Sequence, residues 1–173
     1  MAQRTVTDER KQFAAMTKRL ATLATLDITV GIHGEDTRRD GGDGSVNNVA
    51  IGAIHEFGAP SVGVPKRSWL RSAIDKHQSA ILDEMDGVVD AVAQGAQPMA
   101  QVKALGLQVV EVVREGIRSG INPPLSERMV ERRRAKLSGG KPANKRFGAK
   151  ETPLIDTGQL IQSIKAQVER RAS

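Results

Sequence analysis

The chain has 173 residues, a formal net charge of +6 and 39% apolar residues, with no Cys and no Tyr. Disulfides, thiolate metal sites and cysteine nucleophiles are therefore excluded, and the core must be aliphatic. The length suits one domain, taken as 1–173. No apolar run approaches the roughly 18 residues of a membrane span, and the polar stretch Met1 to Lys11 does not read as a signal peptide.

In chain order, residues 8–24 read as an amphipathic helix, with Asp8 as cap and Phe13, Met16, Leu20 and Leu23 at helical spacing. Leu26 to Ile32 alternates apolar and polar, as a strand with one buried face does. Residues 34–46 are rich in Gly and charge, which predicts a mobile loop. Asn47 or Asn48 caps a short helix carrying Val49, Ala50, Ala53, Ile54 and Phe57, stopped by Gly58. An extended connector over 59–65 leads to Ser68, the predicted cap of a long helix over 69–93. Its apolar stripe is Leu70, Ile74, His77, Ile81, Met85, Val88 and Val92. Gly95 to Pro98 breaks it.

A second long helix follows, with Val102, Leu105, Val109, Val112, Val113 and Ile117 on one face, and Gly120 to Pro124 ends it. Two long helices with a short break predict an antiparallel hairpin. Ser126 then caps a short basic helix to Leu137, a second mobile loop covers 138–151, and a helical turn over Thr157 to Ser163 precedes a strand over Ile164 to Val168. The sum is α+β: a small, mostly antiparallel sheet from strands near both ends, packed against two long helices, with Gly-rich and basic loops.

The motifs of chemistry are weak. Asp156-Thr157-Gly158 after two apolar residues matches the catalytic loop of retroviral-type aspartic proteases. Placement argues against it. Such sites share a proton between two aspartates, so the chain would have to dimerise around β-structure that the helical spacing after Gly158 does not provide. The plainer reading makes Asp156 or Thr157 the cap of a helical turn. His33, His55-Glu56 and His77 show no metal-ligand spacing; His55 reads as a structural polar contact and His77 as part of a helix stripe. Glu35, Asp36, Asp40 and Asp43 lack the spacing of a calcium loop. No nucleotide cradle and no serine elbow is present, so neither catalysis nor a cofactor is signalled.

Charge is uneven. Residues 114–150 hold 11 Lys/Arg against 3 Glu, whereas the remainder is slightly acidic. Arg128, Arg132, Arg133, Arg134, Lys136, Lys141, Lys145, Arg146 and Lys150 are candidate phosphate or partner contacts. Only Phe147 offers a stacking ring, so a solvated or protein-facing basic segment is the stronger expectation.

Three segments in order carry a resemblance: Ile54-His55-Glu56-Phe57-Gly58; Val64-Pro65-Lys66-Arg67-Ser68-Trp69-Leu70-Arg71-Ser72-Ala73; and Pro153-Leu154-Ile155-Asp156-Thr157-Gly158-Gln159-Leu160-Ile161-Gln162-Ser163-Ile164. Together they resemble the neck and tail-completion proteins of long-tailed bacteriophages, also called minor tail component or virion morphogenesis proteins. The likeness runs from about Ile28 to Val168. Trp69 stands where that family often has Phe, and Ser72 where Pro is common. In the family's logic Phe57 anchors the short helix, Gly58 permits the turn after it, Pro65 stiffens the approach to the long helix, and Trp69 and Leu70 bury its first turn.

The resemblance implies a structural role without catalysis at the head–tail junction of the virion, after assembly in host cytoplasm. A homo-oligomeric ring of six subunits around the DNA channel is the expected form. Its neighbours would be connector and tail-tube proteins, with non-specific DNA contact and no membrane. The alternative is a basic nucleic-acid-binding or regulatory protein of the same phage or prophage.

Overall fold

In the computed structural model the described residues are 2–34, 47–138, 152–155 and 158–171. The expected loops at 34–46 and 138–151 lie almost wholly outside them, as do Asp156 and Thr157 and the four acidic residues weighed for calcium. The helices are α1 (Ala2–Leu23), α2 (Asn48–Phe57), α3 (Arg71–Lys76), α4 (Gln78–Ala93), α5 (Pro98–Arg118), α6 (Glu127–Ser138) and α7 (Gln159–Gln162); the strands are β1 (Leu26–Ile32) and β2 (Ile164–Arg170). The fold is α+β, with β1 and β2 forming a two-stranded antiparallel sheet packed against helices. The backbone divides into two compact units. One comprises Met1–Val30, Gln78–Val109 and Ala166–Ser173; the other comprises Gly31–His77 and Val110–Lys165.

In the first unit α1 packs along α4. Arg19 joins them: Nε donates to Val92 O and Nη2 to Ala93 O, both at 2.9 Å. A cation on the last carbonyls of a helix satisfies groups with no intrahelical partner and suits the negative helix end. The chain then turns at Gly95, whose φ is 126°. Gln108 on α5 reaches back to Glu84 on α4, the pairing expected of an antiparallel hairpin. Val92, Val102, Leu105 and Val109 are buried here. Gly106 lets α5 approach the sheet: a Cβ there would lie 2.8 Å from Ala166 Cβ and 2.9 Å from Ile28 Cδ1. At the sheet's end Arg171 N donates to Thr25 O, and its guanidinium pairs with the exposed Asp27.

The second unit is built on Trp69, Ala73, Val113, Ile117, Leu160, Ile161 and Ile164, all buried. Ala73 of α3 meets Gly116 of α5, where a Cβ would sit 3.1 Å from Ala73 Cβ. Arg114 donates Nε to Ile161 O at 3.2 Å and Nη2 to Ile164 O at 3.0 Å, pinning the corner between α7 and β2. α2 begins as the sequence predicts: Asn47 Oδ1 accepts from Ala50 N at 2.8 Å. It ends at Gly58 with φ 80°, where any side chain would press on Lys66 N.

Four expectations are corrected. α1 starts at Ala2, so Asp8 lies inside the helix and caps nothing. The helix expected over 69–93 is two helices. His77, at φ −110° and ψ 15°, donates its N–H to both Ala73 O and Ile74 O and so closes α3. No Gly or Pro stands there to signal the break. Ser68 does not cap α3; its hydroxyl donates to Glu56. Finally, α2 buries a different face. Asn48, Gly52 and Glu56 face inward, while Ile54 is exposed and Phe57 is 71% exposed. The inner face is set by Glu56, which binds the start of α3, and by Gly52, whose carbonyl accepts the Trp69 indole N–H.

Gly106→Ala is expected to lower unfolding free energy by roughly 1–3 kcal/mol, since both neighbours of the added methyl are packed. Gly87→Ala, in mid-α4 with open space around it, is expected to raise it by about 0.5–1 kcal/mol. Urea denaturation of both variants checks the pair.

Candidate functional site

The densest polar structure lies in the second unit, where α2 meets the segment leading into α3. Glu56 is buried. Its Oε1 accepts from Ser68 Oγ at 2.6 Å and from Arg71 N at 3.3 Å, and Oε2 accepts from Leu70 N at 2.9 Å. A carboxylate from one helix thus caps the start of another. That position favours negative charge and satisfies free amides. Ser72 Oγ closes the turn on Ser68 O.

Next to it Trp69 Nε1 donates to Gly52 O at 2.9 Å. Gly52 must lack a side chain, because a Cβ would lie 2.9 Å from Ile32 Cδ1 and 3.3 Å from the indole. Arg67 N donates to His55 O at 2.7 Å. Its guanidinium, within a residue only 6% exposed, donates to Pro123 O at 2.7 Å and Pro124 O at 3.1 Å. Burial, and then the nearby Arg133 charge, draw Arg67 below its ordinary value. Both of these partners are carbonyls, which neutralise no charge.

Arg133 of α6 plays the same part for the third segment, donating to Thr152 O and Ile155 O at 3.0 Å each. Between them Leu154 adopts φ 67°. A non-glycine residue in that region costs about 1–3 kcal/mol and persists only where its surroundings over-determine it. The two Arg133 bonds and the burial of Leu154 supply that constraint.

Arg67, Arg133 and Leu154 form part of the lining of an open groove of about 1170 Å³. Phe57, Val62, Leu125 and Met129 line its apolar sides, and Lys66, Arg67 and Arg133 its charged positions. No Asp or Glu lines it among the described residues. His55 also faces it, with Nδ1 buried and unbonded. Burial first, then Arg67 and Arg133, hold the His55 imidazole below its ordinary pKa.

Of the expected site residues, the structure brings together Glu56, Gly58, Arg67, Trp69, Leu70, Arg71, Leu154, Gly158 and Leu160. Pro65 is on the groove wall. Ser163 Oγ donates to Leu160 O, and Ile164 is fully buried. Phe57 is at the rim rather than in the core. Among the candidate phosphate contacts Arg133 is turned onto carbonyls. The side chains of Arg132, Arg134 and Lys136, and residues Lys141, Lys145, Arg146 and Lys150, lie outside the description. Sequence reasoning missed the roles of Gly52 and Arg114, and His55, read as a structural polar contact, makes one through its backbone carbonyl to Arg67 N while Nδ1 has no partner among the described residues; only the helical offset of Gly52 from Glu56 hinted at a shared face. Among the described residues there is no group of three His, Asp or Glu that holds a metal, and no helix is long and apolar enough to cross a membrane. Comparison with protein-family models, with curated proteins and with solved structures returns no match.

Glu56→Ala is expected to destabilise by about 3 kcal/mol, because two helix-start amides and a hydroxyl lose a charged acceptor. Phe57→Ala, one residue on, is expected to stay within about 0.5 kcal/mol. Chemical denaturation separates the two. A second expectation concerns pH. A histidine whose pKa is depressed by folding takes up its proton more readily when unfolded. Its contribution is fully present above about 6.5 and is lost as pH falls through the folded value. Denaturation midpoints should therefore drop between pH 7.5 and 5.5, and drop less in His55→Gln.

Proposed function

We propose that this chain is a structural, non-catalytic subunit of the head–tail junction of a tailed bacteriophage, a neck or tail-completion protein that works as part of a ring. The observation that carries this reading is the meeting of the three segments bearing the resemblance. Ile54 to Gly58 supplies Glu56, which caps the helix begun by Val64 to Ala73. Leu160, from Pro153 to Ile164, lies against Gly52 of α2, where the Trp69 indole also approaches. A recurrent sequence pattern that folds into one mutually dependent framework is what a family scaffold requires.

The groove beside this framework supports a binding role. It is wide, mostly apolar and lined by fixed backbone and arginine groups, which suits docking of a macromolecule. The nucleic-acid alternative gains less. Arg114 and Arg133, both within the basic segment, are engaged on carbonyl oxygens.

The test adds purified protein to tails from a phage mutant lacking it, with particle mass and electron microscopy as readouts. The expected result is a ring on tail ends and tails that join heads. Indifference to tails, combined with micromolar DNA binding that weakens steeply with salt, would replace this reading with the nucleic-acid one.

A further inference from the structure

The first unit carries a stripe that the fold leaves open. On α4, Leu82 is 51%, Met85 45% and Val89 46% exposed. Their spacing of three and four residues places them on one side of the helix. The adjoining row, Ile81, Val88 and Val92, is the one turned toward the protein. Beside the open stripe run Asp83, Asp86 and Asp90, all exposed. None of the three forms an ion pair among the described residues, and α4 contains no Lys or Arg. Glu84, on a different side, is engaged by Gln108. α4 is thus an amphipathic helix with an apolar ridge and an acidic flank, both unpartnered.

The groove in the second unit has the complementary character. Its rim exposes Phe57 at 71%, Val62 at 72% and Met129 at 43%. Its charged lining is wholly basic among the described residues. A volume near 1170 Å³ exceeds the roughly 300–1,000 Å³ of ordinary small-molecule sites. A helix presenting anchors at such intervals is a standard occupant of an apolar groove.

We infer that the α4 ridge of one copy docks into the Phe57–Val62–Met129 groove of a second copy, with Asp83, Asp86 and Asp90 set against the groove's basic groups. Charge complementarity selects a second copy as occupant, because acidic ridge and basic groove reside on the same chain. The two surfaces differ, so the contact is head-to-tail, the type that closes into a ring or extends as a filament. The inference deepens the ring-subunit reading by naming the interface, and it rests on that reading for its biological setting alone.

The absence of Cys from the chain allows a clean test. Val89→Cys and Val62→Cys are made separately in the full-length protein, mixed, and treated with a short bismaleimide. The expected result is a cross-linked 89–62 pair in about tenfold or greater excess over 89–89 and 62–62 products, lost when Met85→Arg is added to the Val89→Cys chain. As a second variant, reversal of Asp83, Asp86 and Asp90 to Lys should abolish the cross-link. Pairing that chain with a Lys66→Glu partner should restore it. Equal yields of all three products, or a protein that stays monomeric and uncross-linked at millimolar concentration, would overturn the interface. If wild-type rings form on tails while the 89–62 pair fails, the interface is wrong and the proposed function stands. If the pair forms but tails are ignored, the interface stands and the function falls.

Discussion

The second unit depends on one buried carboxylate. Glu56 sits on α2, yet what it satisfies belongs to the start of α3: two backbone amides and a serine hydroxyl. A six-residue helix has little stability of its own, because nucleation is costly and few hydrogen bonds repay it. α3 is held because its exposed amides find an acceptor placed in advance. Fixing α3 places Trp69, whose indole returns the bond to α2 at Gly52 O. The result is a closed loop of dependence in which each helix supplies what the other lacks.

Around that loop, arginines act as struts. Arg19, Arg67, Arg114 and Arg133 each hold two backbone carbonyls of a distant segment. The planar guanidinium makes this economical: one side chain offers several donors in fixed directions, and its charge is less strongly hydrated than an ammonium. A protein with four aromatic residues has few large side chains with which to fix loops by packing. Directional bonds to carbonyls serve instead. Lysine offers no equivalent fork, so Arg→Lys at these positions is not a conservative change.

Periodicity read the helices well wherever burial follows hydrophobicity. α5 carries Val102, Leu105, Val109, Val113 and Ile117 inward as its spacing requires, and Asn47 and Gly58 bound α2 as their side-chain chemistry dictates. It failed where polar groups won the interior. In α2 the apolar count favours the side with Ile54 and Phe57, but the inner side is decided by Glu56 and by the space only Gly52 leaves. Nothing in local composition marks His77 as a break, because that boundary answers to tertiary packing of α3 on α5. The carbonyl-binding arginines were legible as charge but not as struts, since their acceptors lie 19 or more positions away. The groove and the α4 ridge were invisible as sites. An apolar residue left outside reads in a sequence exactly like one placed inside, if only its spacing is known.

The sheet has a consequence for the order of events during synthesis. β1 pairs with a strand so remote that His33 and Lys165, at one end of the ladder, are 132 positions apart. Helical turns can form within microseconds of leaving the ribosome, whereas a contact of such sequence separation must wait until all the intervening residues have been made. Until then Ile28 and the face of α5 at Gly106 lack the strand that covers them. Completion of the sheet therefore waits on synthesis of β2, and only a chain that has reached that point presents its final surfaces to its neighbours.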